Sequence, residues 1–228
     1  MMEAIILAGG KGTRLRAVLD GIPKPMAPVN GKPFLEYVLA SLKRGGIDRV
    51  IMSVGYKHQA IVDHFGSKFD GINIDYVIED EPLGTGGAIK VALTHCSSDY
   101  VFVVNGDTYF EVDYRMMLRR ATETNAALVM AVKALENFDR YGHLEISDGM
   151  VSGFHEKVFC VKGFINGGIY CVGRTLLDGV SDKIFSFERD FLEKGEFSIA
   201  AFESRGYFID IGIPSDYERA QYDLKSLM

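Results

Sequence analysis

The feature that most constrains this chain is its opening, where a strand-like apolar run ends in clustered glycines. The run covers residues 3–8, and Gly9, Gly10 and Gly12 follow it at once. β-Branched residues followed by glycines are typical of a buried strand that enters a tight loop. Glycines also let backbone N–H groups approach an anion closely, because no Cβ blocks the approach. The opening therefore predicts an α/β fold with a phosphate-binding loop after the first strand.

Cationic residues follow the glycines and suit the same ligand. The loop continues into Thr13 and Arg14, and Lys24 lies between Pro23 and Pro25. The arginine guanidinium offers a planar fork of donors to phosphate oxygens. The flanking prolines restrict the backbone around Lys24. We expect this part of the chain to bind a polyphosphate.

Bulk properties are those of a globular α/β domain. The chain has 228 residues, 47% hydrophobic and 25% charged, with a formal net charge of -6. That charge argues against a nucleic-acid partner, which calls for a basic face, but allows a local cationic site for a small anion. The three cysteines have no C-x-x-C spacing and are expected to be buried thiols rather than metal ligands or disulfides. No apolar stretch approaches the roughly 20 residues of a membrane span, so we expect a cytoplasmic protein without a membrane partner.

Strand-like and helix-like patterns alternate through the first half of the chain. This rhythm predicts parallel strands joined by crossover helices. The second half has more strands and fewer helices, which predicts added antiparallel strands. We expect one domain over 1–228, with a nucleotide-binding half over about 1–110 and a second half over about 111–228. The predicted strands are 50–54, 72–78, 100–104, 126–132, 142–146, 150–154, 164–172 and 198–202, and the predicted helices are 34–42, 59–65, 86–93, 187–194 and one from 214 onward.

Two aspartates follow strand-like runs, at the strand ends where open α/β sheets bind ligands. Asp107 comes after the run 100–104, and Asp210 comes after the run 207–209. Two carboxylates beside a triphosphate would repel it unless a divalent cation lay between them. Mg²⁺ takes one or two carboxylates plus substrate phosphates as ligands. The sequence thus predicts a magnesium site on Asp107 and Asp210, although either aspartate alone is also a common turn residue.

These residues resemble the sugar-1-phosphate nucleotidylyltransferases. The resemblance runs in order through nearly the whole chain, and its segments are Leu7–Leu15, Pro23–Met26, Lys32-Pro33, Glu81–Ala88, Asn105–Asp107, Tyr141-Gly142, Glu156-Lys157, Asn166–Tyr170 and Asp210–Gly212. It implies a three-layer, Rossmann-like α/β fold with a mixed, mainly parallel twisted sheet, of the nucleotide-diphospho-sugar transferase type. It also implies Mg²⁺-dependent transfer of a nucleotidyl group to a sugar-1-phosphate, with release of pyrophosphate.

The resemblance also assigns roles to residues. Arg14, Lys24 and Asp107 are the expected catalytic residues. Lys157 is expected to bind the sugar phosphate, and Tyr141, Gly142, Glu156 and Asn166 the sugar. The expected nucleotide-binding residues are Leu7, Gly9, Gly10, Gly12, Thr13, Arg14, Lys24, Glu79, Gly84, Thr85 and Asp107.

Glu79 bears on the choice of base. Relatives that use uracil or thymine place a glutamine a few residues before the Leu-Gly-Thr turn, whereas Glu79 stands here. An ionised carboxylate only accepts hydrogen bonds, which suits the adjacent N1–H and 2-amino donors of guanine and disfavours the carbonyls of uracil. We therefore expect GTP as the nucleotide, with UTP or dTTP as the alternative. The other interpretation is that Glu79 faces solvent and does not contact the base.

The sugar is assigned by resemblance alone. Many members carry Pro-Leu-Thr after the arginine loop, and residues 16–21 replace it here. This departure and the compact length look most like bacterial D-glycero-α-D-manno-heptose-1-phosphate guanylyltransferases. Mannose, glucose or N-acetylmuramic acid 1-phosphate are the alternative acceptors. Oligomeric state cannot be predicted from this sequence.

Other functional classes are weaker matches. The glycine spacing does not fit the G-x-G-x-x-G of nicotinamide-dependent oxidoreductases, and the Gly-Lys-Ser/Thr of Walker-type kinases is missing. A non-catalytic sensor of nucleotide sugars is the remaining alternative. Such a sensor would be expected to lose metal ligands, yet Asp107 and Asp210 are both present.

Overall fold

The computed structural model describes residues 1–10, 21–124, 126–195 and 197–226. Five α-helices and fourteen strands lie within these ranges. The helices are α1 (Phe34–Arg44), α2 (His58–Phe65), α3 (Gly84–Leu93), α4 (Tyr114–Glu123) and α5 (Pro214–Asp223). The strands are β1 (Glu3–Ala8), β2 (Pro28–Val29), β3 (Lys32–Pro33), β4 (Arg49–Val54), β5 (Lys68–Phe69), β6 (Ile72–Ile78), β7 (Tyr100–Asn105), β8 (Thr108–Phe110), β9 (Leu128–Phe138), β10 (His143–Ser147), β11 (Met150–Phe154), β12 (Cys160–Gly173), β13 (Ile199–Glu203) and β14 (Phe208–Asp210).

Ten strands form one mixed sheet in the order β10-β11-β13-β9-β12-β7-β1-β4-β6-β5. In the N-terminal half, β7, β1, β4 and β6 pair in parallel. In the C-terminal half the pairing is antiparallel except between β9 and β13. The antiparallel pair of β7 and β12 joins the two halves. The predicted mixed sheet, with its antiparallel C-terminal additions, is confirmed. It is not mainly parallel, since four of its neighbouring strand pairs are parallel and five are antiparallel.

Side chains that point alternately to the two faces of the buried strands form a hydrophobic core on each face of the sheet. In β1, Ile6 packs on one face with side chains of α1, α2, α4 and α5. Ile5 packs on the other face with side chains of α3 and of a short helical turn, Phe187–Leu192. Successive residues of a strand point to opposite faces, so a continuous apolar run is what a two-sided sheet requires. The three-layer prediction is confirmed.

Most element boundaries lie within two residues of the predictions, and the differences have local causes. The predicted strand 126–132 continues to residue 138, because β12 is long enough to pair with it from Val172 to Cys160. The predicted helix 187–194 ends at Leu192. Helix α4 was not predicted from the sequence, although Asp113 caps it by accepting a hydrogen bond from the Met116 N–H at 3.0 Å. Among the described residues, no helix is both long and apolar enough to cross a membrane.

Candidate active site

A cavity of about 480 Å³ lies at the carboxyl ends of β1 and β7. At this edge the Gly106 N–H donates to the Leu7 carbonyl at 3.0 Å. A Cβ on Gly106 would lie 2.8 Å from that carbonyl oxygen, so glycine permits the close approach of the two strand ends. All the predicted nucleotide-binding residues that the structure describes line this cavity: Leu7, Gly9, Gly10, Lys24, Glu79, Gly84, Thr85 and Asp107. The other three, Gly12, Thr13 and Arg14, lie outside the described residues.

A second cavity of about 350 Å³ adjoins the first. Asn105 and Glu188 line both cavities. Four of the five predicted sugar-binding residues, together with Asp210, line the second one: Tyr141, Gly142, Lys157 and Asn166. Glu156 is exposed and does not line either cavity.

Lys24, Asp107 and Asp210 come together where the two cavities meet. The Lys24 ammonium lies 2.5 Å from Oδ2 of Asp107 and 3.5 Å from Oδ1 of Asp210. The antiparallel pair of β8 and β14 brings the aspartates together, because Asp210 is in register with Thr108. The Ile211 N–H also donates to the Asp107 carbonyl at 3.1 Å. Two carboxylates that are remote in sequence thus face one cation.

The electrostatics of this cluster favour a cation. Burial raises the pKa of Asp210, and the neighbouring Asp107 carboxylate raises it further, while Lys24 opposes both effects. The Lys24 side chain is only 13% exposed, so little water screens it from the two carboxylates. A short helical turn, Lys24–Met26, holds the backbone of Lys24, with the Met26 N–H donating to the Pro23 carbonyl at 2.8 Å. The cluster is a pre-formed site for positive charge beside the predicted phosphate loop.

Glu79 is held in a fixed orientation on the wall of the first cavity. Ser53 Oγ donates to Oε1 of Glu79 at 2.8 Å, and the Leu83 N–H donates to Oε2 at 3.2 Å. A Cβ on Gly9 would lie 2.7 Å from Oε1, so glycine at that position leaves room for the carboxylate. Each carboxylate oxygen has a second lone pair that can accept a hydrogen bond from a ligand. Ser53 is fully buried and was not among the residues predicted from the sequence.

Comparison with known proteins places the chain among nucleotide-transferring enzymes. The model of the Nucleotidyl transferase family matches residues 3–226. The chain belongs to this family. This confirms the resemblance drawn from the sequence motifs.

Individual relatives of this nucleotidyl transferase match over nearly their full length. D-glycero-alpha-D-manno-heptose 1-phosphate guanylyltransferase of Aneurinibacillus thermoaerophilus is 49% identical over 229 residues, covering 98% of this chain and 99% of the relative. The protein of the same name from Campylobacter jejuni is 45% identical, covering 95% of this chain and 97% of the relative. The crystal structure of HddC from Yersinia pseudotuberculosis complexed with GMP-PN has a TM-score of 0.89 and 39% identity, covering 99% of this chain and all of that one.

The carboxylates of Asp107 and Asp210 suit a magnesium ion that takes its remaining ligands from substrate phosphates and water. Among the described residues there is no group of three or more His, Cys, Asp or Glu side chains able to hold a metal. Asp107 and Asp210 together supply carboxylate oxygens and already share one cation, the Lys24 ammonium. Mg²⁺ is commonly held by one or two carboxylates, with substrate phosphates and water as the other ligands.

Proposed function

We propose that this protein transfers the guanylyl group of GTP to D-glycero-α-D-manno-heptose 1-phosphate. A phosphate oxygen of the sugar-1-phosphate attacks the α-phosphorus of GTP and forms the new P–O bond. The bond from the α-phosphorus to the β-phosphate oxygen breaks, and pyrophosphate leaves with the electron pair. The observation that carries this proposal is the meeting of Lys24, Asp107 and Asp210 at the junction of two cavities.

Both reactants are anions, so alignment and charge neutralisation are what the protein must supply. Lys24 stabilises negative charge that builds on the transferred and leaving phosphates. Arg14, on the predicted phosphate loop, adds a bidentate donor for the triphosphate, and Gly12 and Thr13 supply backbone N–H groups of the same loop. Asp107 and Asp210 would hold the divalent cation, which would supply positive charge to the phosphoryl oxygens.

The base assignment rests on Glu79. Its carboxylate lies on the wall of the first cavity, held by Ser53 and by the Leu83 N–H. In our proposal it accepts hydrogen bonds from N1–H and the 2-amino group of guanine. The names of the two curated relatives, both guanylyltransferases, support GTP over UTP or dTTP.

The sugar assignment rests on the second cavity and on the relatives. Lys157 grips the phosphate of the sugar-1-phosphate, and the Tyr141-Gly142 segment flanks the sugar ring. Asn166 contributes to the same wall. Glu156 is proposed as a further contact to the sugar hydroxyls, although it is exposed and lines neither cavity. The heptose in the names of both relatives favours that sugar over mannose, glucose or N-acetylmuramic acid.

The test is a matrix of nucleoside triphosphates against sugar-1-phosphates, scored by pyrophosphate release with Mg²⁺. We expect the highest rate with GTP and the heptose 1-phosphate, and no release when either substrate is omitted. Strong preference for UTP or dTTP would refute the base assignment, and strong preference for another sugar would refute the heptose. Binding without pyrophosphate release from any pair would favour the sensor alternative. Because GTP is an intracellular substrate, we also propose a cytoplasmic location.

A further inference from the structure

Glu188 is a carboxylate that lines both cavities, and the family motifs did not single it out. It lies in the short helical turn Phe187–Leu192, directly after the buried Phe187. Two backbone hydrogen bonds fasten the preceding segment to the start of α3. The Gly86 N–H donates to the Phe185 carbonyl at 2.9 Å, and the Phe185 N–H donates to the Leu83 carbonyl at 3.1 Å. The backbone near Glu188 is therefore tied to the nucleotide-binding half.

The carboxylate itself is also held in place. Thr85 Oγ1 donates to Oε2 of Glu188 at 2.7 Å, and Ser186 Oγ donates to the same oxygen at 3.3 Å. The Phe187 N–H in turn donates to Thr85 Oγ1 at 2.8 Å. The Thr85 hydroxyl, which was expected to bind the nucleotide, thus donates its hydrogen bond to Glu188. Fixed carboxylates lose less conformational entropy when they bind a ligand than free ones do.

On the side of the second cavity, Glu188 adjoins a buried hydrogen-bonded pair. Asn166 Nδ2 donates to the Tyr170 hydroxyl at 2.7 Å, and Asn166 Oδ1 accepts from the Gly168 N–H at 2.9 Å. Burial raises the pKa of Tyr170 well above its usual value, and the Glu188 carboxylate, with which the Tyr170 hydroxyl also hydrogen-bonds, adds to that shift. Each end of the Asn166 amide thus makes one hydrogen bond within the chain, and one N–H and one lone pair remain for a ligand. An ionised carboxylate on the same wall would accept a hydrogen bond from a sugar hydroxyl more strongly than this neutral amide oxygen.

Three described carboxylates line the second cavity and can be compared as acceptors of a hydrogen bond from a sugar hydroxyl. Asp210 is paired with Lys24. Glu193 is exposed at the end of the short helical turn. Glu188 is the one that neighbouring hydroxyls orient at the junction. A carboxylate there repels phosphate groups and accepts hydrogen bonds from hydroxyls.

We propose that Glu188 is a substrate-binding residue that accepts a hydrogen bond from a ring hydroxyl of the sugar-1-phosphate, with Thr85 as its positioning residue. This inference rests on the proposed function. It means that the sugar is recognised partly by a side chain anchored to the nucleotide-binding half. The two substrates are thereby aligned through one hydrogen-bonded chain.

The test compares Glu188→Gln with Glu193→Gln, which makes the same chemical change in the same cavity. Steady-state kinetics use GTP with D-glycero-α-D-manno-heptose 1-phosphate and with its monodeoxy analogues. We expect Glu188→Gln to raise KM for the sugar-1-phosphate about tenfold, the difference between a charged and a neutral acceptor, and to leave KM for GTP nearly unchanged. For the analogue that lacks the contacted hydroxyl, Glu188→Gln and the wild type should have the same KM, since the interaction is absent from both. Thr85→Val lacks the hydroxyl that holds Glu188 and should raise the same KM. Thr85→Ser keeps a hydroxyl and should bring that KM back toward the wild-type value.

Several results would overturn the proposal. A rise in KM for GTP rather than for the sugar would assign Glu188 to the ribose. An equal effect of Glu193→Gln would show that a held carboxylate is not required. A parallel response of wild type and Glu188→Gln to every deoxy analogue would show that no hydroxyl contacts Glu188. Should Glu188→Gln fail to fold, the Thr85→Val and Thr85→Ser pair gives the same comparison. A wild type inactive with the heptose would instead refute the proposed function.

Discussion

The two cavities are built in different ways. The first lies at the carboxyl ends of the parallel strands β1 and β7, and none of the described residues that line it is aromatic. The second lies among antiparallel strands, and six aromatic side chains line it: Tyr141, His143, Phe154, His155, Tyr170 and Phe208. His143 and His155 stack there with ring centroids 4.2 Å apart, and Tyr141 packs edge-on against Phe208 at 5.9 Å. The two cavities therefore offer different surfaces to a ligand, with small and polar residues prominent in the first and aromatic rings in the second.

A β-bulge in β12 lies at the second cavity. The register of β12 against β9 shifts between Asn166 and Tyr170, and Gly168 there has φ of 71°. Because extra residues on one strand bend it and re-aim its side chains, the bulge turns this part of β12 toward the second cavity. We propose that the first region binds the nucleoside triphosphate, with Glu79 selecting the base, and that the second region selects the sugar. In this proposal the junction cluster of Lys24, Asp107 and Asp210 serves both.

The largest effect is expected at the junction. Lys24→Ala removes the cation between two carboxylates, and we expect turnover to fall more than about a hundredfold, as for a deleted transition-state donor. Pyrophosphate release at saturating GTP and sugar-1-phosphate measures it. Lys68→Ala, an exposed lysine on β5, is the matched control. Near-normal turnover of the Lys24 variant would remove this residue from the mechanism.

The next largest effect concerns folding stability at strand β1, which supports the first cavity. Glu3 is fully buried at the start of β1, where it accepts from the Ser97 and Ser98 N–H groups at 2.7 and 2.6 Å and from Arg49. Burial alone would raise the pKa of Glu3, but these hydrogen bonds lower it from 4.5 to about 2. Because the folded-state pKa is the lower one, the stabilisation is complete above the unfolded value and is lost as pH falls toward 2. It amounts to about 3 kcal/mol.

Urea unfolding of the wild type and of Glu3→Gln over this pH range measures that contribution. The difference in unfolding free energy between the two proteins should be largest near neutral pH and should shrink below about pH 5. A difference that stays constant over the whole range would mean that the ionisation of Glu3 does not stabilise the strand.

A smaller and more selective effect is expected in the second region. Lys157→Ala should raise KM for the sugar-1-phosphate about tenfold, since a charge-assisted hydrogen bond to phosphate is lost. KM for GTP should change little. Lys162→Ala, an exposed lysine on β12, controls for the lost charge. If both substrates lost affinity equally, the division of labour between the cavities would be wrong.

The smallest effect concerns the base. Glu79→Gln keeps the shape of the side chain and exchanges one acceptor for a donor, so we expect kcat/KM with GTP to fall several-fold, up to about tenfold, while kcat/KM with UTP rises. Competition between GTP and UTP in one reaction measures the ratio directly. Glu81→Gln, an exposed neighbour, is the control. An unchanged GTP to UTP ratio would leave Glu79 without a role in base choice.

Local sequence pattern was sufficient for much of this architecture. The strand Ile72–Ile78 alternates buried and exposed positions over its first four residues and was predicted with its observed bounds. The missed helix α4 also carried a signal, since Tyr114, Met117 and Ala121 recur at helical spacing behind the Asp113 cap. Its charged arginines on the other faces lowered its mean hydropathy and hid the pattern.

Site residues could be predicted where a short local motif contains them. They could not be predicted where strand order brings residues distant in sequence into contact. Glycine loops and strand-end aspartates are visible locally, so the residues of the junction cluster were predicted. Thr85 and Glu188 lie 103 positions apart, and only the packing of the Phe187–Leu192 turn on α3 brings them together. Ser53 lies 26 positions from Glu79 and meets it through the pairing of β4 with β6. Such partners require the fold.

The most direct test of the account replaces each junction carboxylate by its amide. Pyrophosphate release is measured for wild type, Asp107→Asn and Asp210→Asn with GTP, the heptose 1-phosphate and Mg²⁺. We expect release by the wild type only when both substrates are present, and a loss of at least about a hundredfold in each variant, with nucleotide binding retained. Wild-type rates in both variants would contradict the claim that these two carboxylates serve the transfer.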